Sequence, residues 1–182
     1  MQYEPSLLEI TMTRIAFLLY GKSIYRTFAD RLPLKGEERV LDFGCRMGTV
    51  AYYVAQRLPQ GHLTCMDISR RWLNACRKTL GRYGNVTYQQ WECKEFAVES
   101  FDIVYCHFVM HDVPESELKV VIPALVKCLK PGGVLVFWEP LRERDKISSI
   151  KRLFKQNRLL HKESRITDIS ILGNALESVY LK

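Results

Sequence analysis

The stretch that decides the fold is Arg39-Val40-Leu41-Asp42-Phe43-Gly44-Cys45-Arg46-Met47-Gly48. Arg39 to Phe43 is a short, β-prone run, and it ends in a glycine-bounded turn. Thr49 to Leu58 then reads as a helix closed by Pro59 and Gly61. The order is strand, glycine turn, helix. The same unit recurs at once. Leu63 to Met66 is a strand ending in Asp67, and Ser69 is placed to cap a helix carrying Trp72, Leu73, Cys76 and Leu80 before Gly81.

Further along, Val86 to Gln90 fits a third strand, and the apolar run Ile103 to Cys106 fits a fourth, covered on both faces. Leu118, Val121, Ile122, Leu125 and Leu129 keep helical spacing, with Pro123 expected to kink or restart that helix. Gly132-Gly133 turns the chain into a fifth strand, Val134 to Trp138. Ile147, Ile150, Leu153 and Phe154 mark one more helix. Ile166 to Ile171 and Ala175 to Leu181, parted by Gly173-Asn174, read as a closing pair of strands. Two helical segments precede the first strand, on the stripes Leu8, Met12, Ile15, Leu19 and Ile24, Phe28, Leu32.

Strands alternating with helices of this length predict an α/β fold, a mostly parallel sheet with helices on both faces. Ligands in such sheets sit beyond the carboxyl ends of the strands. The chemistry is therefore expected after Phe43, Met66, Gln90, Cys106 and Trp138.

Glycines 44 and 48 allow a tight turn and close approach of a ligand, and the amides that open the following helix favour an anionic group. A dinucleotide loop needs Gly-x-Gly-x-x-Gly, but counting from Gly44 its second and third glycine positions hold Arg46 and Thr49, which disfavours NAD. Asp67 follows the last loop glycine by 19 residues. At a strand end its carboxylate can take both hydroxyls of a ribose; the competing reading is a cap for the helix at Ser69. Trp91-Glu92-Cys93, after the third strand, offers a stacking face and an acceptor for an adenine amine.

A chain of 182 residues with 47% hydrophobic and 26% charged content suits one ordinary globular domain. The reading is residues 39–182 as its body, with residues 1–38 as a helical lid belonging to the same domain and Tyr20 and Tyr25 as lid residues that could meet substrate or cofactor. The longest apolar stretches fall far short of the roughly 20 residues a membrane span needs. Met-Gln-Tyr-Glu-Pro does not read as a signal peptide, so a soluble, cytoplasmic protein is expected. The six cysteines, at 45, 65, 76, 93, 106 and 128, show neither Cys-x-x-Cys nor tight Cys/His spacing, so no metal site is expected and buried thiols are. The net charge of +7 is concentrated between residues 141 and 165. Such a stretch serves either as a solvated helix face or as an attractor for an acidic substrate, an anionic membrane surface or nucleic acid.

Taken in order, these segments resemble the class I S-adenosylmethionine-dependent methyltransferases, particularly the small-molecule branch that includes the ubiquinone/menaquinone-type C-methyltransferases. Val40 to Cys45 is similar to the family's first motif, Asp67-Ile68-Ser69 to its second, and Ser100 to Val104 with Val109 to Val113 to its fourth. Leu129 to Gly133 is similar to the turn before its fifth strand.

The resemblance implies a Rossmann-like, doubly wound sheet of seven strands with an antiparallel closing strand. It also implies S-adenosylmethionine as cofactor and S-adenosylhomocysteine as product. Asp42, Gly44, Cys45 and Gly48 would surround the methionine end, with Arg46 in the same loop where the family usually has glycine. Asp67 would hold the ribose, and Ile68, Glu92 and Cys93 would frame the adenine. Cys106 and His107 would lie near the methionyl group.

Methyl transfer from a sulfonium needs alignment more than catalytic side chains. Where the acceptor has a proton to lose, His107 and His111 are the candidate bases, the competing reading of His111 being a satisfied helix-start histidine. The acceptor is expected to be a small molecule, conceivably an anionic one given the basic stretch. A nucleic-acid methyltransferase and a cofactor-binding protein without catalysis are the alternatives.

Overall fold

The computed structural model describes residues 4–92, 97–169 and 173–182. The chain forms two compact units, Met1–Glu92 and Cys93–Lys182.

The first unit opens with helix α1, Leu7–Tyr20, capped by the Ser6 hydroxyl, which accepts from the Glu9 amide at 3.1 Å. Its expected stripe is not buried. Leu8, Met12, Ile15 and Leu19 are all exposed, and α1 attaches through Phe17, whose ring meets Tyr25, Tyr52 and Tyr53. A π-helical turn, Gly21–Arg26, leads into α2, Thr27–Arg31, which buries Phe28 and Ala29.

Strand β1 is Arg39–Phe43 and β2 is His62–Asp67. Between them helix α3 spans Ala51–Gln56, shorter than the periodicity suggested because Thr49 and Val50 still belong to the turn. Helix α4, Arg70–Leu80, obeys its sequence signals. Ser69 accepts from the Trp72 amide at 3.0 Å, Trp72, Leu73, Cys76 and Leu80 are buried, and Arg77 and Lys78 stand at the negative end of the helix dipole. Strand β3 is Val86–Gln90, and β1, β2 and β3 pair in parallel in the order β3-β2-β1.

The second unit begins its described part at residue 97. Strand β4, Phe101–His107, is buried along almost its whole length, as a strand covered on both faces must be. Helix α5, Glu115–Cys128, passes through Pro123 as a single element, so the proline does not restart it. Strand β5 is Leu129–Pro140, longer than expected because Leu129 already pairs with Phe101. The register then jumps to Ile103 opposite Val134, and Gly132, at φ +75°, absorbs the looped-out residues.

After a 3-10 turn, Leu141–Glu143, helix α6 runs Arg144–Gln156, followed by β6, Leu160–Ile169, and β7, Gly173–Leu181. Strand β6 starts several residues before the expected Ile166. Its early part is charged and exposed, the pattern of an edge strand guarded against further pairing rather than of an alternating strand. Strand β7 lies antiparallel to both β5 and β6, giving β4-β5-β7-β6. The seven strands, mostly parallel with an antiparallel closing strand, form the expected α/β class.

Candidate functional site

In the first unit the turn after β1 is tied to the end of β2. The amides of Gly44 and Cys45 both donate to the Met66 carbonyl, at 2.8 and 2.9 Å, and the Gly48 amide donates to the Cys45 carbonyl at 2.8 Å. Asp67, only 6% exposed, then reaches back into the turn. Its Oδ2 accepts from the Arg46 amide at 2.9 Å, and its Oδ1 accepts from the Ser69 amide at 3.0 Å. Burial pushes the Asp67 carboxyl up, and the Ser69 and Arg46 amides oppose that rise. Asp67 thus holds the amide of the α4 cap residue, while the cap itself is the Ser69 hydroxyl. Each carboxylate oxygen still has acceptor capacity for a further donor.

Arg46 sits at φ +47°, the left-handed region where glycine is ordinarily placed. Its side chain does not lie loose in the turn. The guanidinium pairs with Glu9 of α1 at 3.0 Å and stacks over the Trp72 ring, 4.9 Å from its centroid. Gly48, at φ +79°, is packed so closely that a Cβ would stand 2.8 Å from the Cys76 sulfur. Asp42 is buried beside the turn on β1.

Trp91 continues from β3. Its amide donates to the Asp67 carbonyl at 2.9 Å, and its ring meets Phe43 edge-on at 5.8 Å. Ile68 is 38% exposed and Glu92 is exposed, both on the chain flanking these strand ends. Cys93 lies outside the described residues. Tyr20 is half-buried at the end of α1, and it is Glu9 from that helix that reaches the turn.

The N-terminal segment supplies a residue the sequence did not flag. Glu4 sits at the start of α4, where its carboxylate accepts from the Ser69 hydroxyl at 2.6 Å and from the Arg70 and Arg71 amides, both at 3.1 Å. These bonds, led by that from Ser69, hold its carboxyl below the usual range. Only an acid ahead of a predicted helix start, far away in sequence, could have hinted at it.

In the second unit the histidines take different positions. Cys106 and His107 close β4 and are buried, the His107 ring meeting Phe108 and Trp138 with centroids 4.5 and 5.1 Å away. His111 lies in the 3-10 turn Met110–Asp112, and its Nδ1 is paired with Oε2 of Glu139. Glu139 is fully buried near the end of β5, and its Oε1 accepts from the Val109 and Met110 amides at 3.2 and 2.8 Å.

Burial works to lower the His111 pKa, but the hydrogen bond and charge of Glu139, with Asp112 and Glu143, raise it above the ordinary value. Glu139 was missed in the sequence. The signal was present, since Trp138-Glu139-Pro140 puts an acid at a strand end, as Asp67 does. Just beyond β5 a hollow of about 240 Å³ is lined by Leu141, Arg142, Arg144, Gly173 and Asn174.

The methyltransferase domain family matches residues 41–135, more than half of the chain and the whole stretch from β1 into β5. This chain belongs to that family. Among its relatives is phosphoethanolamine N-methyltransferase 1 of Triticum aestivum, 31% identical over 120 residues that cover 62% of this chain and 23% of the relative. Another is trans-aconitate 2-methyltransferase of Azoarcus sp. (strain BH72), 28% identical over 116 residues covering 63% and 44%. The chain thus spans less than half the length of these two curated relatives.

Among solved structures, the N-methyltransferase NodS from Bradyrhizobium japonicum WM9, in complex with S-adenosyl-L-homocysteine, superposes with a TM-score of 0.72. The identity is 20%, and 89% of this chain and 87% of that one are covered. The fold is that of the class I S-adenosylmethionine-dependent methyltransferases.

Proposed function

We propose that this chain transfers the methyl group of S-adenosylmethionine to a small anionic acceptor. The observation that carries the reading is the Asp67 carboxylate. It is buried at the end of β2, fixed by the Arg46 and Ser69 amides, and still able to accept from the two hydroxyls of a ribose.

The cofactor supplies a methyl group on a sulfonium, whose departure leaves a neutral thioether. In this reading the Gly44–Gly48 turn and Asp42 receive the methionine end. Arg46, engaged by Glu9, acts through its backbone rather than as a cation on the cofactor carboxylate. Ile68 and Trp91 give apolar surface to the adenine, and Glu92 accepts from its amine; Cys93 is assigned the same neighbourhood from sequence alone. Cys106 and His107 are assigned to the methionyl end from the motif resemblance alone. Tyr20 and the helices before β1 act as a lid. His111, held by Glu139 at Nδ1 and with Asp112 at 3.4 Å from Nε2, is the base for acceptors that have a proton to lose.

Two features support an anionic acceptor. The hollow after β5 is lined by Arg142 and Arg144. The two relatives are named for phosphoethanolamine and trans-aconitate, both of which carry negative charge. The finer likeness to ubiquinone/menaquinone-type enzymes rests on the motifs alone. A nucleic-acid substrate is less favoured. Lys146 donates to the Val113 carbonyl, and Arg165 pairs with Glu163 and Glu177, so part of the basic stretch is already engaged. Among the described residues no helix is long and apolar enough to cross a membrane.

The test is transfer of a labelled methyl group to a panel of carboxylates, phosphorylated amines, phenols and a generic RNA. Labelling of anionic small molecules, weakened by Arg142→Ala with Arg144→Ala, is expected. Labelling of RNA alone would overturn the acceptor class, and no transfer to any of them would favour a binding protein without catalysis.

A further inference from the structure

Behind the glycine turn the fold gathers three thiols that the sequence keeps apart. Cys45 comes from the turn after β1, Cys65 from β2 and Cys76 from α4. All three are buried, and their sulfurs lie within 4.8 Å of one another. A metal–sulfur bond of about 2.3 Å sets three thiolates around one ion roughly 4 Å apart. A small inward rotation of the side chains would close the triangle on a cation. No Cys-x-x-Cys spacing announces the group, so sequence spacing alone predicts no metal site.

We propose that Cys45, Cys65 and Cys76 form an all-sulfur site for a thiophilic d10 cation of the zinc or copper(I) class. Thiolate-only donor sets select such ions over hard oxygen-seeking ones. Binding the ion forms three metal–sulfur bonds and releases the thiol protons to solvent. The Gly48 backbone lies directly against the Cys76 sulfur, so the ion would brace the turn from behind. Cys128 is buried outside this group and donates to the Leu125 carbonyl.

The test uses the reduced full chain titrated with cadmium(II), read by the ultraviolet sulfur-to-cadmium charge-transfer band and by native mass spectrometry. One cadmium per chain is expected. The affinity should fall by more than about 100-fold, beyond what outer-shell changes produce, in Cys65→Ala and in Cys76→Ala, and be retained in Cys128→Ala. Should a variant fail to fold, alkylation of the wild-type chain with and without cadmium decides, with protection expected at Cys45, Cys65 and Cys76. Absence of the band, its persistence without Cys76, or protection of other cysteines instead would overturn the proposal.

Discussion

Asp67 and Glu139 are both buried carboxylates at the carboxyl end of a parallel strand, yet they are used differently. Among the described residues, Asp67 accepts from two backbone amides, those of Arg46 and Ser69. Glu139 accepts from the Val109 and Met110 amides and is also paired with the His111 imidazole. The first carboxylate fixes a turn and keeps acceptor capacity for something outside the protein. The second spends its charge internally, on the orientation and protonation of a neighbouring side chain. Placement at a strand end thus does not determine what an acid does; its partners do.

The largest effect that could break this contrast is on Asp67. Asp67→Ala should weaken S-adenosylhomocysteine binding by about 100-fold or more, since each hydrogen bond to a charged acceptor contributes roughly 1.5–3 kcal/mol. Isothermal calorimetry would show it, and unchanged affinity would make Asp67 a purely structural cap. Next in size is Gly48→Ala, expected to cost about 2–4 kcal/mol in urea unfolding. The left-handed backbone and the contact with the Cys76 sulfur add together there.

Glu139→Gln keeps an acceptor for the two amides but removes the charge facing His111. The His111 pKa should then drop, because only the weaker charges of Asp112 and Glu143 still oppose burial, and an NMR titration of the ring reads this directly. The sign of the linked pH effect follows. A histidine whose folded pKa lies above its unfolded value adds stability at pH below about 6.5, and that stability is lost as pH rises through the folded pKa. Wild type should therefore melt progressively lower across that window, and His111→Gln should flatten the slope. If His111 is the base, turnover should rise over the same window.

The smallest change is expected of Arg46→Gly. Relief of the left-handed strain is offset by the lost Glu9 pair, the lost Trp72 stacking and the added chain entropy, so stability should move by no more than about 1 kcal/mol.

The strand–turn–helix units were legible because local signals agree with the fold. The Ser69 cap, the glycines of the turn and the apolar strands all sit where they were read. The departures come from tertiary partners that no local pattern encodes. Arg46 is engaged by Glu9, Glu4 caps a helix 65 residues away, and the three thiols meet only once β1, β2 and α4 have packed. Strand β6 starts earlier than its apolar residues indicate because its edge position favours charged, exposed residues over alternation; the expected end at Ile171 lies outside the described residues. Glu139 is hard to pick out because an acid inside an apolar strand end resembles an exit from the sheet, and its role rests on amides and an imidazole contributed by the turn after β4.

The most direct measurement is the melting temperature of the wild-type chain with S-adenosylmethionine, S-adenosylhomocysteine and NAD, repeated on Asp67→Ala. At about 100 times its dissociation constant a ligand adds roughly 2.7 kcal/mol, which raises the melting temperature of a chain this long by several degrees. The two adenosyl compounds should give that shift in wild type and lose it in the variant, with NAD inert in both. A shift from NAD, or none from the adenosyl compounds, would contradict the account.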